Sequence, residues 1–408
     1  MPRLTLISIG TALLAFTSVA TSLRLHKLPI GVSESLIMML FTWLLIKKKS
    51  MINPKHPIVL FWVSIIIISI IAASLSKATG AGATHTTIAY IYSTCFSITA
   101  LAYLQKLSSE ELKSVIKALA IIPTALLLIP FFIFLSGSSN LSDLFELNTY
   151  LPNRFSAWSA NPNQLALLLL PIPIWFIAST QQENWQGIRL VRNLLFIWIT
   201  FLIGMCIRSD ALLLSWSIGL PILLLISFFW SKPIERKIQS LSIVAFVLAF
   251  GLFKLMSDGI DREYFPNLAN SDSTFGVGFD KEKANVRKTL RDQATHIWLK
   301  SPIIGNGPGA FSYLKDPEDR QEAHNLILDL LTQTGITGVS VFTALYIWLL
   351  IRAYQSRDPY SLTVLIILMI FSAAHFTLRQ PLFSLYIILC SLMTGSNRLA
   401  TEQKKQPL

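Results

Sequence analysis

The sequence predicts an all-α polytopic membrane protein with about twelve transmembrane helices. Hydrophobic residues make up 53% of the 408 residues and charged residues only 14%, whereas a soluble protein usually carries about 25% charged residues. Apolar runs long enough for a helix to cross the bilayer recur along the whole chain. The predicted spans lie near residues 4–20, 29–46, 56–75, 87–105, 115–136, 162–179, 190–207, 211–230, 238–256, 336–353, 360–378 and 382–396.

Basic residues in alternate loops predict the orientation of the chain. The formal net charge is +12, and most of the excess lies in short loops between predicted spans, such as those at 47–55 and 232–237. Positively charged loops normally stay in the cytoplasm, so these loops and both termini are expected there. The excess charge therefore reports membrane topology, and no nucleic-acid partner is expected. The apolar N-terminal run is interpreted as an uncleaved first span and not as a signal peptide.

The predicted topology divides the chain into three regions. Residues 1–256 form a transmembrane bundle of nine spans, residues 257–335 form a long loop outside the membrane, and residues 336–408 contain the last three spans and a cytoplasmic tail. The loop is the main polar insertion in the chain. With about 79 residues it is too short for an independent catalytic domain with a large core, so a small helical cap on the membrane surface is expected.

Arginines in the outside loops are candidates for binding an anionic lipid headgroup. Arg208 lies in a short turn between two spans, in the sequence MCIRSDALLLSW. It either snorkels and pairs with Asp210, or presents a fixed cation to a phosphate, which a guanidinium binds through two parallel hydrogen bonds. Arg154 and Asn163, in LPNRFSAWSANPNQLA, are expected to take part in substrate binding.

Two further pairs of residues are four positions apart and would share one face of a helix. Arg287 and Arg291 either bind a second phosphate or form the solvated side of a cap helix. His375 and Arg379, near the outer end of the span predicted at 360–378, either line a site or anchor that helix at the membrane interface.

His324 opens a short amphipathic helix. Apolar residues within 326–331 mark the buried face of this helix, and Gly335 is expected to end it. Asn325 and Asp329, one turn apart, are expected on the polar side, where they bind an acceptor or orient the imidazole. A histidine at the start of a helix is often only a capping or surface residue, so the spacing alone leaves both interpretations open.

The sequence lacks the signatures of several other functions. GNGPGAF lacks the Lys-Ser/Thr that a phosphate-binding P-loop requires, and there is no nucleotide-binding domain, which excludes an ATP-driven transporter. No histidine pair has zinc spacing and DPEDRQE lacks calcium-loop spacing, so no metal and no cofactor are expected. A transporter or flippase is the alternative class and is less favoured, because it would place charged or broken helices at mid-membrane, whereas the charges here gather at the outer ends of the spans.

Four blocks together resemble a known family. NPNQLALLLL, RSDALLLSWSIGLPILLL, PIIGNGPGAF and EAHNLILDLLTQTGITGV occur in this order between residues 155 and 350. Their order and spacing resemble the O-antigen ligase and polymerase superfamily of bacterial envelopes, and the last two blocks together are the most specific. Thr332 and Gln333 stand where the family tends to have Ala-Glu, and Asp210 where Gly is common, so the departures are mild.

The resemblance implies a glycosyltransferase that acts on the periplasmic face of the bacterial inner membrane. Such enzymes move a glycan from an undecaprenyl pyrophosphate carrier to an acceptor hydroxyl, and their fold resembles the metal-independent integral-membrane (GT-C type) glycosyltransferases. Arg208 and His324 match the first functional arginine and the histidine of the family. Arg287, fifteen residues before Pro302, matches the second arginine better than Arg291 does.

Among the activities of this superfamily, an O-antigen ligase is favoured. The donor would then be an undecaprenyl-pyrophosphate-linked glycan, the acceptor a lipid A–core sugar, and the surroundings membrane lipid. An O-antigen polymerase and an O-linked protein glycosyltransferase remain the alternatives from the same superfamily.

The predicted topology can be tested by labelling single cysteines from outside the cell. In a background without the native Cys95, Cys206 and Cys390, a cysteine at position 306 should react with a membrane-impermeant maleimide, and one at position 48 should not, because positive loops stay inside. Labelling at position 48 would show that the orientation is reversed.

Overall fold

The computed structural model describes residues 5–20, 31–47, 53–76, 81–147, 154–180, 188–230, 233–258, 281–310 and 323–403. These residues are mostly helical and contain no strand, which confirms the all-α prediction. The helices are α1 (Leu6–Val19), α2 (Val32–Lys47), α3 (Pro57–Ser76), α4 (Ala81–Leu104), α5 (Ser109–Ser136), α6 (Ser139–Leu144), α7 (Pro162–Leu169), α8 (Ile172–Thr180), α9 (Ile188–Ile207), α10 (Asp210–Trp230), α11 (Pro233–Asp258), α12 (Lys281–Lys300), α13 (Leu326–Gln355), α14 (Pro359–Ser372) and α15 (Pro381–Gln403).

The chain is a multi-pass membrane protein. Among the described residues, five helices are long and apolar enough to cross a bilayer: Pro57–Ser76, Ala83–Leu104, Ser109–Ser136, Asp210–Trp230 and Leu326–Gln355. The other predicted spans coincide with shorter apolar helices of 10 to 17 residues, so the count of twelve stays a prediction. The division into three regions also stays a prediction, since residues 259–280 and 311–322 of the long loop lie outside the described residues.

The span predicted at 162–179 is interrupted and consists of α7 and α8. Pro171 has no N–H to donate to the carbonyl of Leu167, so the helix loses a hydrogen bond there. The hydroxyl of Tyr386 donates to the carbonyls of Leu167 and Leu168, both at 3.1 Å, and the indole N–H of Trp216 donates to Leu170 at 2.9 Å. Side chains of α10 and α15 therefore satisfy the carbonyls that the interruption exposes.

Helix α13 is also interrupted, at Gly335, where the helix after His324 was predicted to end. Gly335 has φ 62° and ψ −165°, a conformation that is essentially restricted to glycine. The predicted tenth span at 336–353 is thus the second part of one element that begins at Leu326.

The turn in PIIGNGPG fills this interruption. The N–H groups of Asn306 and Gly307 donate to the carbonyls of Thr332 and Gln333 at 2.8 and 2.9 Å. In return, the N–H groups of residues 336 and 337 donate to the carbonyls of residues 302 and 303, at 2.9 and 3.1 Å. In an uninterrupted helix, residues 336 and 337 would donate to 332 and 333. Two helical hydrogen bonds are thus replaced by four bonds to the turn.

Helix α12 packs against the start of α13 and lies in the long loop. Its buried residues Leu290, Ala294 and Ile297 form a small apolar cluster with Ala323, and Leu328 packs against them. The loop therefore contains a helix, as predicted, and this helix is attached to the segment that carries His324.

The substitution Gly335→Ala should destabilise the protein. A Cβ at this position would lie 2.3 Å from the carbonyl oxygen of Ile303, and alanine strongly disfavours the backbone conformation, at a cost of about 1–3 kcal/mol. The apparent melting temperature in detergent should fall, and it can be followed by circular dichroism.

Gly251→Ala is the matched control for that substitution. Its Cβ would meet no atom within 4 Å, and alanine is the better helix former, so its melting temperature should equal or exceed that of the wild type. A Gly335→Ala variant that melts like Gly251→Ala would show that the backbone conformation of Gly335 and its close approach to Ile303 do not contribute to stability.

Candidate active site

A cavity of about 250 Å³ lies where α7 and α13 begin and α14 ends. Its lining is mainly polar, and it includes four of the residues predicted from the sequence: Asn163, His324, His375 and Arg379. The remaining lining residues are Asn161, Gln164, Leu167, Phe371, Phe376, Thr377 and Gln380. Three separate stretches of the sequence thus meet at one cavity.

Arg154 lies beside this cavity and is bonded to its wall. Its guanidinium donates to the side-chain oxygen of Asn163 at 3.2 Å and to the carbonyl of Ile207 at 3.0 Å. Burial lowers the pKa of Arg154, Asp210 opposes this effect, and the positive charge of Arg208 adds to it. An arginine remains protonated despite such a shift, so two guanidinium charges lie near each other.

Arg208 adopts an unusual backbone conformation. It follows the last residue of α9, and its φ of 53° is in the left-handed region, which costs energy for any residue with a Cβ. Its N–H donates to the carbonyl of Met205 at 3.0 Å. Burial lowers the pKa of Arg208. The side chain is half-buried, so the guanidinium is not simply a solvated surface group.

The prediction that His375 and Arg379 share one helix face is wrong, because the segment 373–380 is not helical. Helix α14 ends at Ser372 and not near residue 378, so the two residues do not share a helix face. The hydroxyls of Ser372 and Thr377 lie 2.6 Å apart and stabilise the non-helical turn. The backbone is no longer helical beyond this point, yet His375 and Arg379 both line the cavity.

Both the backbone and the side chain of Arg379 contact neighbouring residues. Its carbonyl accepts a hydrogen bond of 2.9 Å from the hydroxyl of Ser93 in α4, and its guanidinium lies 5.8 Å from the ring centroid of Phe376. Burial lowers the pKa of Arg379, and Tyr90 opposes this effect. The ring of His375 lies 4.7 Å from that of Phe371.

His324 is an exposed residue just ahead of α13. Its φ is 50°, so it shares the left-handed conformation of Arg208. The cap of α13 is the next residue, Asn325, whose side-chain oxygen accepts from the N–H groups of Ile327 and Leu328 at 3.0 and 3.1 Å. The amide of Asn325 donates to the carbonyl of Ala373 at 3.0 Å, which ties His324 to the segment 373–380.

The sequence predicts Asn325 and Asp329 on one exposed polar face, and the structure does not place both of them there. Asp329 is 1% exposed, because its carboxylate accepts hydrogen bonds from backbone N–H groups and needs no solvent. Asn325 has its oxygen and its amide engaged in the cap and in the contact with Ala373. Its part in acceptor binding stays a prediction.

Arg287 and Arg291 both lie in α12. Arg291 is exposed, and the side chain of Arg287 lies outside the described residues. At 100° per residue, position 287 falls on the same side of the helix as Leu290 and Ala294, which face α13, whereas position 291 falls further away. The helical repeat therefore places position 287 nearer to the buried side of α12 than position 291, and the choice of Arg287 over Arg291 stays a prediction.

Several lining residues were missed by the sequence analysis, namely Gln164, Phe376, Thr377 and Gln380. Gln164 carried a signal, since it follows the Asn161 cap of α7. The other three residues carried no such signal. The span was predicted to continue to residue 378, whereas α14 ends at Ser372. Within the described part of the chain, no group of three or more His, Cys, Asp or Glu side chains is placed to hold a metal ion.

Comparison with known protein families found one matching region of the chain. Residues 195–343 match the family described as O-antigen ligase. The match begins within α9 and ends within α13, so it includes Arg208, the turn at 302–307 and His324, while the cavity residues of α7 and of the segment 373–380 lie outside it. A search of curated proteins found no match.

Proposed function

We propose that the chain transfers an O-antigen glycan from undecaprenyl pyrophosphate to a sugar hydroxyl of lipid A–core, because residues 195–343 match the family described as O-antigen ligase. The reaction takes place on the periplasmic face of the bacterial inner membrane. The observation that carries the proposal is the polar cavity that joins His324 to Arg379 and Asn163. In this proposal the bundle is of the metal-independent, GT-C type.

The arginines of the site suit a pyrophosphate. The positive charge of Arg208 contributes to the lowered pKa of Arg154, and such a pair of cations becomes favourable when an anion lies between them. A guanidinium forms two parallel hydrogen bonds to phosphate oxygens and does not deprotonate. Helix α7 adds the positive end of its dipole, since its N-terminal residues line the cavity.

The same cations act on the leaving group. As the bond between the anomeric carbon and the phosphate oxygen breaks, negative charge develops on the departing pyrophosphate. Fixed guanidinium groups stabilise this charge without reorganisation. Arg208 and Arg287 take this part, and Arg379 lies at the other side of the cavity, where it binds the donor or the acceptor.

His324 serves as the general base. Its side chain is accessible and lies on the wall of the cavity, so it can accept the proton of the acceptor hydroxyl as the oxygen attacks the anomeric carbon. Attack opposite the pyrophosphate inverts that carbon. The proton passes to the imidazole, and the electron pair of the broken bond leaves with the pyrophosphate.

The experiment that tests the proposal starts from a deletion strain. Lipopolysaccharide from this strain, examined on a gel, should lack every O-antigen-capped form, and the wild-type gene should restore them. A cap of one repeating unit would identify a polymerase instead, and unchanged lipopolysaccharide together with a loss of protein glycans would identify an O-linked protein glycosyltransferase.

His324→Ala should lower transfer by about 10²–10⁴-fold, the usual effect of removing an acid–base group. The protein should remain folded, since His324 is exposed. A base acts only when unprotonated, so wild-type turnover should fall as the pH is lowered, as measured with purified enzyme in liposomes. Wild-type turnover that falls as the pH rises, together with an active His324→Lys variant, would show that His324 binds pyrophosphate as a cation.

Arg287→Ala should impair transfer far more than Arg291→Ala, because position 287 lies on the side of α12 that packs on α13. Arg291→Ala is the matched control, since it removes the same charge from the same helix at an exposed position. Initial rates at several donor concentrations measure both effects. If Arg291→Ala is the inactive variant, the second functional arginine is Arg291, one helical turn after Arg287.

A further inference from the structure

The carboxylate of Asp329 lies against the backbone on both sides of His324. One oxygen accepts the N–H of Ala323 at 3.2 Å, and the other accepts the N–H of Asn325 at 3.4 Å. The contact resembles a capping box, in which a side chain of the first turn reaches back to the N–H of the cap residue. Here it extends past the cap and encloses His324 between two bonded amides.

This arrangement stabilises a backbone conformation that His324 would not adopt alone. A left-handed residue other than glycine costs about 1–2 kcal/mol and persists only where its surroundings determine it. Asp329 is 1% exposed, and a buried carboxylate is itself expensive unless its oxygens are hydrogen-bonded. A buried carboxylate is therefore present at a position where an apolar residue would pack at lower cost.

The anchored amides also connect α12 with the segment 373–380. Ala323 packs into the apolar cluster with Leu290 and Ala294 of α12, and Asn325 is bonded to the carbonyl of Ala373. Asp329 thus holds the residue that contacts α12 and the residue that contacts the segment 373–380. His324 lies between them.

We propose that Asp329 is a positioning residue, whose carboxylate fixes His324 in the cavity through the amides of Ala323 and Asn325. This inference rests on the proposed function, because it gives Asp329 its effect through the general base. Asp329 does not touch substrate in this proposal. Its removal leaves the base present but misplaced.

Asp329→Asn tests this proposal, because the substitution keeps the shape and removes one acceptor. The amide oxygen can still accept one N–H, while the new NH₂ group faces the other N–H. We expect kcat to fall about 10–10²-fold, the effect of a displacement of roughly 1 Å in a catalytic group, with the KM for the donor unchanged. Asp358→Asn is the matched control.

Asp358 is a suitable control because it makes similar contacts at the other end of α13. It is 6% exposed and accepts from the N–H groups of Tyr360 and Ser361 at 3.1 and 3.3 Å. It caps α14 and is separated from Asp329 by the interruption at Gly335 and by the rest of α13. Asp358→Asn should lower the melting temperature as Asp329→Asn does, while its kcat stays at the wild-type value.

A double-mutant cycle separates positioning from general destabilisation. In a His324→Ala background, Asp329→Asn should lower the residual rate no further, because residues that act as a unit are not additive. An equal loss in both backgrounds, or a wild-type kcat for Asp329→Asn beside an inactive His324→Ala, would overturn the proposal.

Hydrogen exchange of the wild-type protein tests the two hydrogen bonds to Asp329 directly. This measurement depends neither on a folded variant nor on catalysis. The amides of Ala323 and Asn325 should exchange at least about tenfold more slowly than in a free peptide of the same sequence. Exchange at the free-peptide rate would refute the role of Asp329 even if the enzyme is active. Absence of transfer by the wild type, with both amides protected, would instead refute the proposed function.

Discussion

The site depends on the exchange of backbone hydrogen bonds between α13 and the turn at 302–307. A helix that is interrupted within an apolar environment leaves N–H and C=O groups without partners, and each such group costs several kcal/mol in lipid. The turn supplies two donors and two acceptors at the positions where the helix lacks them. This satisfies the interruption and fixes the long loop to the bundle through the main chain, so the attachment does not depend on the identity of most side chains in the loop.

Further contacts extend from this junction to the cavity. The side chain of Gln333, whose carbonyl accepts from Gly307, accepts a hydrogen bond of 2.8 Å from the hydroxyl of Tyr90. Tyr90 lies within electrostatic range of Asp329 and Arg379, and Ser93, one turn further along α4, holds the carbonyl of Arg379. Helix α4 therefore connects the junction to the opposite wall of the cavity. A glycine at 305, which has φ 81° and would place a Cβ 2.5 Å from the backbone of Gln333, permits this close approach.

Much of the fold could be predicted because the bilayer imposes it. Long apolar runs must become helices, so the helices of the bundle follow from hydropathy alone. The interruption near Pro171 could not be placed with the same certainty, because the hydroxyl that satisfies Leu167 comes from Tyr386, more than 200 residues away. The end of α14 was missed for a similar reason, since Ser372–Thr377 remains apolar enough to continue a span. Asp329 looked like a surface residue because its partners are backbone groups that carry no sequence signal.

The order of synthesis gives the junction at Gly335 a further consequence. The turn at 302–307 leaves the ribosome before residues 332–337, which supply its hydrogen-bonding partners. The long loop therefore cannot reach its final structure until α13 has followed it into the membrane. His324 lies at the start of α13, so the cavity that it lines is complete only at that stage. The last steps of insertion therefore also complete the cavity.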